Sequence, residues 1–279
     1  MGDKTKIDWA DATWNPVTGC LHGCEYCYAR RIAERFGGCS VFDPVGDSVV
    51  VHNASGKELI CELNNPVSKV DGIDPILGRK VSKAPYPFGF APTLHRYRLD
   101  IPARWTKPRN IFVCSMADLF GDWVPDKWIQ EVFQACDKAA QHRYLFLTKN
   151  PDRYLELSRL MPKHRRPPNV AEMWFGQSFT GEKLNYTPLM LPPWQNCFIS
   201  IEPLLRNLSR AEAMDIAATN GWVIVGAETG HRNGKVIPKK SWIDDIAAAC
   251  EEMDTPIFMK ESLRELMESD FRQEFPWEG

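Results

Sequence analysis

Three of the nine cysteines of the chain lie within one short stretch near the N-terminus, with the spacing C-x3-C-x2-C. They are Cys20, Cys24 and Cys27. Thiolates held so closely repel one another unless they share a metal, so the spacing indicates a metal site. A structural zinc ion takes four protein ligands, whereas a [4Fe-4S] cluster held by three cysteines keeps one iron open to a substrate or cosubstrate. The motif predicts such a cluster. The alternative is a non-catalytic binding protein stabilised by zinc, with His22 as the fourth ligand, or by an Fe–S cluster.

The rest of the chain supplies a regular scaffold that would position this site. From Asn110 onward, short apolar runs typical of strands buried on both faces alternate with helical patterns. With one strand before the cysteines, they predict seven parallel strands joined by right-handed crossovers. The predicted fold is therefore α/β, a partial or nearly closed parallel (β/α) barrel. The runs are residues 111–114, 144–147, 173–175, 197–201, 222–225 and 256–259.

Helical spacing of apolar residues predicts helices at 28–36, 126–140, 209–218 and 241–253. The first of them follows the cysteines directly, so the motif is predicted to lie in the loop between the first strand and the first helix. Residues 38–108 are rich in proline and glycine and are predicted to form an irregular insertion in a single domain spanning 1–279. Alternation at 48–52 predicts one arm of a hairpin. Cys39 and Cys61 lie in this insertion and are interpreted as isolated thiols, the alternative being a second metal site.

Polar residues follow every predicted strand. Active sites of parallel barrels form at the carboxyl ends of the strands, so these residues are predicted to meet on the same rim as the cysteines. One polar residue in such a position often only caps a helix, but six groups in succession indicate a shared site. The candidates are Ser115, Asp118, Lys149, Gln177, Ser178, Glu202, Gly226, Glu228 and Lys260.

The cysteine stretch resembles the signature of the radical S-adenosylmethionine (SAM) enzymes, C-x3-C-x-aromatic-C, with Tyr26 at the aromatic position. In that family the open iron binds the amino and carboxylate groups of SAM. An electron from the cluster then cleaves SAM to methionine and a 5′-deoxyadenosyl radical, which abstracts hydrogen from a substrate. The resemblance implies an enzyme with a [4Fe-4S] cluster, SAM as cosubstrate, and an external electron donor of the flavodoxin or ferredoxin type.

Further stretches resemble a phage-type family of unknown function that has a radical-SAM-like core. These are residues 13–20, 115–120, 147–151, 200–205 and 223–230. The resemblance extends over most of the chain and implies no particular substrate. A more distant likeness is to the spore photoproduct lyases, which repair a thymine dimer in DNA.

The radical-SAM resemblance also implies roles for the polar residues. Tyr26 would pack near the adenine, and Ser115 to Asp118 would meet the methionine amino group, with Cys114-Ser115-Met116-Ala117 standing where the family has Gly-Gly-Glu. Gln177 and Ser178 would meet the ribose.

The segment with Gly226 and Glu228 would support the adenine. Glu202 and Glu228 would orient ribose hydroxyls or shuttle a proton, which makes them catalytic candidates together with Lys149. Lys149 and Lys260 would bind the SAM carboxylate or an anionic substrate.

Charge and composition limit the compartment and the partners. Six cysteines are scattered singly, unlike a secreted disulfide framework, and the N-terminal residues have no signal-peptide pattern. No apolar run reaches membrane-spanning length. We therefore expect a cytoplasmic protein without membrane contact, in a reducing compartment that suits an oxygen-sensitive cluster.

The predicted substrate is a nucleic acid or nucleotide. Arg96, Arg98 and Arg104 lie close to aromatic residues, and a second basic run spans 163–166. Such a mixture suits phosphate contact and base stacking. A solvated basic surface is the alternative interpretation, and a net charge of −2 leaves a peptide or small metabolite open as substrate.

Overall fold

The strands follow one another in the order in which the sequence places its apolar runs. The structure is a computed structural model that describes residues 5–37, 41–42, 48–52, 59–74, 78–157, 171–180, 196–229 and 233–278. Its strands are β1 (Ala12–Trp14), β2 (Val17–Thr18), β3 (Val41–Phe42), β4 (Ser48–His52), β5 (Leu59–Leu63), β6 (Ser68–Asp74), β7 (Gly78–Lys83), β8 (Thr93–His95), β9 (Asn110–Val113), β10 (Arg143–Thr148), β11 (Glu172–Phe179), β12 (Asn196–Ile201), β13 (Val223–Val225) and β14 (Ile257–Met259).

Seven of these strands form the main sheet, in the order β1-β9-β10-β11-β12-β13-β14. Every neighbouring pair is parallel. Parallel neighbours need a crossover between them, and the regular alternation of strands and helices supplies it. The sheet forms a half-barrel, which confirms the predicted α/β partial barrel.

The predicted helices are present with small shifts at their ends. The α-helices are α1 (Tyr28–Phe36), α2 (Asp126–Asp137), α3 (Asp152–Glu156), α4 (Arg210–Thr219), α5 (Lys240–Glu252) and α6 (Arg264–Met267). Helix α4 starts one residue later than predicted because Ser209 is its N-cap, with Ser209 and Glu212 forming a capping box. Helix α2 ends three residues before the predicted residue 140, with its C-cap at Lys138. No helix within the described ranges is long and apolar enough to cross a membrane.

Successive residues of the main strands belong to two different cores. In β10, Tyr144 and Phe146 pack with the residues of α2 on the outer face, whereas Leu145 joins a second cluster on the inner face. This alternation follows from the two-residue period of a strand. The inner cluster is mainly aromatic and is continued by Phe275 and Trp277 from the C-terminal segment.

The segment before β9 is more regular than the sequence predicts. Its described residues form strands β3 to β8, in an antiparallel and parallel sheet β2-β8-β5-β4 and a small sheet β3-β6-β7. Strand β4 pairs antiparallel with β5, which confirms the predicted hairpin arm. Strands such as β6 and β7 mix charged, polar and glycine residues and lack the continuous apolar runs of the main sheet, and this explains the difference. Cys61 lies buried in β5, and Cys39 lies outside the described residues.

The insertion is attached to the main sheet next to the cysteine loop. Strand β2, which follows β1 after two residues, pairs antiparallel with β8. Buried His95 of β8 hydrogen-bonds Thr18 of β2 through its Nε2, at 2.9 Å from the hydroxyl oxygen. The insertion therefore fixes the chain at the point where it enters the cysteine motif.

We expect Gly176→Ala to destabilise the half-barrel by about 1–3 kcal/mol through overpacking. A Cβ at Gly176 in β11 would lie 2.3 Å from the ring of fully buried Phe198, which has no space into which to move. Gly221→Ala is the matched control, because its Cβ would meet nothing closer than 3.4 Å. Urea unfolding measures both variants. Equal unfolding free energies for the two would contradict the close packing at Gly176.

Candidate functional site

A cavity opens at the carboxyl end of the half-barrel, on the inner face of the sheet. Trp9 and Phe112 form its apolar floor, and its walls are formed by residues after six strands of the main sheet and by Ser178 near the end of β11. The structure thus brings most of the predicted polar residues around one space. Those that line it are Cys20, Cys24, Tyr26, Cys27, Ser115, Asp118, Lys149, Ser178, Glu202, Glu228 and Lys260.

The loop that carries the cysteines is clamped on both sides. The backbone N–H of Gly19 donates to the carbonyl of Met116 at 2.9 Å, and that of Cys20 donates to Phe90 at 3.2 Å. Gly19 has φ +87, and a Cβ there would lie 2.3 Å from the carbonyl oxygen of Ala91. Only glycine fits both the left-handed backbone and the close approach of the insertion.

The three cysteines are half-buried and face the cavity. Cys27 also caps α1, because its Sγ accepts a hydrogen bond from the backbone N–H of Arg30 at 3.4 Å. Burial, together with the nearby negative charges of Asp118, Cys24 and Cys27, raises the pKa of Cys20 to about 12. Three thiolates can coexist here only if a cation compensates their charge, so the donor set fits a metal cluster.

The arrangement fits a cluster better than a single zinc ion. No three His, Cys, Asp or Glu side chains in the described part of the chain are placed to hold one metal ion. In a cubane cluster each cysteine binds a different iron, so the three sulfurs need not converge on a point. His22, the predicted fourth zinc ligand, instead hydrogen-bonds Asp118 through Nε2, at 2.7 Å from Oδ2.

Asp118 is buried and joins three segments of the site. Its Oδ1 accepts from the backbone N–H of Phe120 at 3.0 Å and from the hydroxyl of Thr148 at 2.7 Å. Its Oδ2 accepts from the backbone N–H of Lys149 at 2.9 Å, in addition to contacting His22. These four bonds use the acceptor sites of the carboxylate. Asp118 therefore positions the cysteine loop against β9 and β10.

Asn15, which directly follows β1, has a similar role. Its side-chain oxygen accepts from the hydroxyl of Ser115 at 3.2 Å and from the backbone N–H of Met116 at 3.0 Å. Just before them, Cys114 has a backbone φ of 58, in the left-handed region. The sequence does not single out Asn15, although its place directly after β1 is a signal for a residue at the rim.

The opposite wall of the cavity carries an ion pair. Lys260 Nζ lies 2.5 Å from Glu202 Oε1, and both side chains are largely buried. The stem of Lys260 crosses Gly226, where an added Cβ would lie 2.9 Å from it. Gly226 thus makes room for Lys260 and does not itself line the cavity. Glu228 is buried in the neighbouring wall.

Neighbouring residues of β11 are separated by the pleat. Ser178 lines the cavity, whereas Gln177 is buried on the opposite face, with Phe175 and Phe179 on either side of it along the strand. Gln177 is therefore not placed to meet a ligand in the cavity. Ser200 of β12, which is not among the predicted residues, does line it. A serine between Ile199 and Ile201 is the signal that would have identified this inward position.

The predicted basic surface is largely used inside the protein. Arg96 pairs with Glu62 at 2.6 Å and with Glu131 at 2.9 Å. Arg98 is buried and donates to the carbonyls of Asn15 and Pro85. Arg104 is exposed, but it precedes the start of β9 and so lies towards the amino edge of the sheet, opposite the cavity. The run at 163–166 lies outside the described residues.

The chain is similar to a protein family and to solved structures. It matches the family described as Protein of unknown function (DUF5131) over residues 4–68 and 77–269, a range that contains all seven strands of the main sheet. No curated protein matches it. Among solved structures, a spore photoproduct lyase mutant is similar with a TM-score of 0.48 and 11% identity, covering 92% of this chain and 80% of that chain. Spore photoproduct lyase complexed with dinucleoside spore photoproduct is similar with a TM-score of 0.46 and 10% identity, covering 91% and 79%.

We expect Asp118→Asn to lower the free energy of unfolding by about 1–3 kcal/mol, because the amide group would face backbone and side-chain donors. Asp122→Asn is the matched control, since Asp122 is an exposed carboxylate in the same loop. Its effect should stay within about 0.5 kcal/mol. Urea unfolding of the apoprotein measures both. A stability of Asp118→Asn equal to that of the control would show that Asp118 does not hold the segments together.

Proposed function

The chain belongs to the DUF5131 family of unknown function, and we propose that it is a radical SAM enzyme that holds a [4Fe-4S] cluster on Cys20, Cys24 and Cys27. One observation carries this proposal. Three cysteines with the spacing C-x3-C-x2-C face a cavity at the carboxyl end of a parallel half-barrel, and all seven strands contribute lining residues at or after their ends. Such a site combines a ligand set that leaves one iron open with an enclosed space for a cosubstrate and a substrate.

When bound, a cluster of this kind supplies the electron that cleaves SAM to methionine and a 5′-deoxyadenosyl radical, which takes a hydrogen atom from the substrate. The residues of this chain bind, orient and shield. The aromatic floor with Trp9 and Phe112 excludes water from below. The clamp on Gly19 and Cys20 keeps the cysteine loop in place.

The walls offer polar groups suited to SAM. We assign Ser115 and the neighbouring backbone to the methionine moiety, and Ser178 to the ribose, because both line the cavity. Tyr26 would pack near the adenine, and Lys149 places its ammonium group 5.4 Å from the centre of the Tyr26 ring. The four hydrogen bonds of Asp118 use its carboxylate within the protein, so we assign Asp118 to positioning the cysteine loop.

The catalytic candidates lie on the far wall. Lys260 forms an ion pair with Glu202 and compensates the charge of its carboxylate. The Glu202 carboxylate can then orient hydroxyl groups of a ligand. Glu228 is buried beside the same space and is the candidate for moving a proton. The predicted nucleic acid or nucleotide substrate is based in part on Arg96 and Arg98, and both arginines are bonded within the protein. Such a substrate therefore stays a prediction.

The proposal predicts that anaerobic reconstitution loads about four irons with matching sulfide, as a [4Fe-4S] cluster requires. Dithionite and SAM should then give 5′-deoxyadenosine. Cys24→Ala should lose both the full cluster and the product, because the three-cysteine set is broken. Metal analysis and chromatography of the reaction mixture measure the two outcomes.

Cys197→Ala is the matched control, since Cys197 is half-buried but outside the cavity. It should load iron and form product like the unaltered protein. A stoichiometry of about one zinc, or equal 5′-deoxyadenosine from Cys24→Ala and the unaltered protein, would overturn the proposal in favour of a metal-stabilised binding protein.

A further inference from the structure

Helix α1 carries an exposed apolar stripe. Tyr28, Ile32 and Phe36 follow one another at intervals of four residues, so they lie on one side of the helix. Their exposed fractions are 48%, 36% and 48%, and they are three of the six exposed large hydrophobic residues among the described residues. Ala29 and Ala33, on the adjacent side of the helix, are the residues that α1 buries. A helix with a polar outer face needs no partner, whereas this stripe leaves apolar area in water.

Positive charge borders the stripe. Arg31 and Arg35 are exposed and lie along its edge, one helical turn apart, and the guanidinium of Arg35 lies over the Phe36 ring at 5.4 Å from its centre. No carboxylate among the described residues forms a salt bridge with Arg31 or Arg35. A chain with a net charge of −2 therefore presents a local cationic and apolar surface here.

The stripe starts at the cysteine motif. Cys27 is the N-cap of α1, and Tyr28, the next residue, turns into the cavity, where its hydroxyl donates to the carbonyl of Ser115 at 2.6 Å. The apolar residues that face outward are therefore Ile32 and Phe36. Nine residues of helix span about 14 Å at about 1.5 Å per residue. The surface is thus the outer side of the segment whose inner side carries a cluster ligand.

We propose that the face of α1 formed by Arg31, Ile32, Arg35 and Phe36 docks an acidic one-electron carrier protein that reduces the cluster. The inference rests on the proposed function and adds the place and chemistry of the electron supply. In the step, the carrier loses one electron and the cluster gains one, with no proton or group transferred. The carrier approaches from outside, so the cavity stays available to SAM and substrate.

The chemistry of the face favours this occupant. Aromatic and arginine side chains are enriched at the centres of protein interfaces, and a small patch suits the transient complexes of electron transfer. A nucleic acid would call for several aromatic rings on which successive bases stack, but Tyr28 turns into the cavity and leaves Phe36 as the aromatic ring of this face. A second copy of the chain would bring Arg31 and Arg35 close to their own counterparts, which is repulsive.

Cluster-loaded protein is tested with two acidic carriers, a bacterial flavodoxin and a bacterial ferredoxin. Calorimetry measures binding of the oxidised carriers, and stopped-flow absorbance measures cluster reduction by the reduced ones. Arg31→Glu with Arg35→Glu should weaken binding and slow reduction at low salt by about tenfold or more, because steering charges are reversed. Ile32→Ser with Phe36→Ser should weaken binding at both low and moderate salt, because the apolar contribution is not screened.

Lys127→Glu with Lys138→Glu is the matched control, since both lysines are exposed on or next to α2 and give the same change in charge. This variant should behave like the unaltered protein, and dithionite should reduce the cluster equally in all variants.

The proposed docking is overturned if neither carrier binds the unaltered protein. It is also overturned if the carriers reduce the cluster of the α1 variants as fast as that of the unaltered protein. Loss of single-stranded oligonucleotide binding by the α1 variants, with carrier binding unchanged, would also overturn it in favour of nucleic acid. Failure of the proposed function is seen separately, as unaltered protein without a cluster that dithionite reduces.

Discussion

A buried carboxylate with four hydrogen bonds holds the site together. Asp118 connects the cysteine loop through His22, its own loop through Phe120, and the end of β10 through Thr148 and Lys149. A buried charge is costly unless its acceptor sites are filled, so the three segments can adopt their positions only together. Because the cysteine loop has no secondary structure of its own between β2 and α1, this shared anchor sets where the thiols face.

The pleat of the parallel strands gives the cavity its two layers. Residues that alternate along each strand divide between the helices outside and the space inside. Near the amino edge the inward positions are aromatic and fill the space, as Trp174 and Phe198 do. Towards the carboxyl edge they become small or polar, as Ser178 and Ser200 are, and a cavity opens. The same strand thus builds a dry floor and a polar wall without any change in backbone geometry.

The sequence predicts the parts of the structure that depend on local pattern. The apolar run around Phe146 and the helix from Tyr28 to Phe36 are confirmed, because burial on both faces and helical periodicity leave a strong signal. Strands of the insertion such as β6 and β7 mix charged, polar and glycine residues and leave no such signal. The sequence also could not distinguish Ser178 from Gln177, because only the register of the sheet decides which of two neighbours faces inward. Likewise, the burial of Arg98 depends on the carbonyls of Asn15 and Pro85, which are distant in the chain.

In the proposed enzyme, the position of α1 separates two needs of radical chemistry. A reactive intermediate has to be kept from water and from other oxidisable groups, which favours a closed cavity, while a cluster has to receive electrons from outside. In this fold the cysteine loop forms the boundary between the cavity and the outside of the protein. Its inner side faces the cavity and its outer side continues into α1, where Cys27 is at once a candidate iron ligand and the helix cap. Helix α1 buries Ala29 and Ala33, whereas the larger Ile32 and Phe36 remain on the outside. In the proposed enzyme the cluster can therefore receive electrons from the outer side of the cysteine loop and α1, while hydrogen abstraction takes place on the inner side, in the cavity.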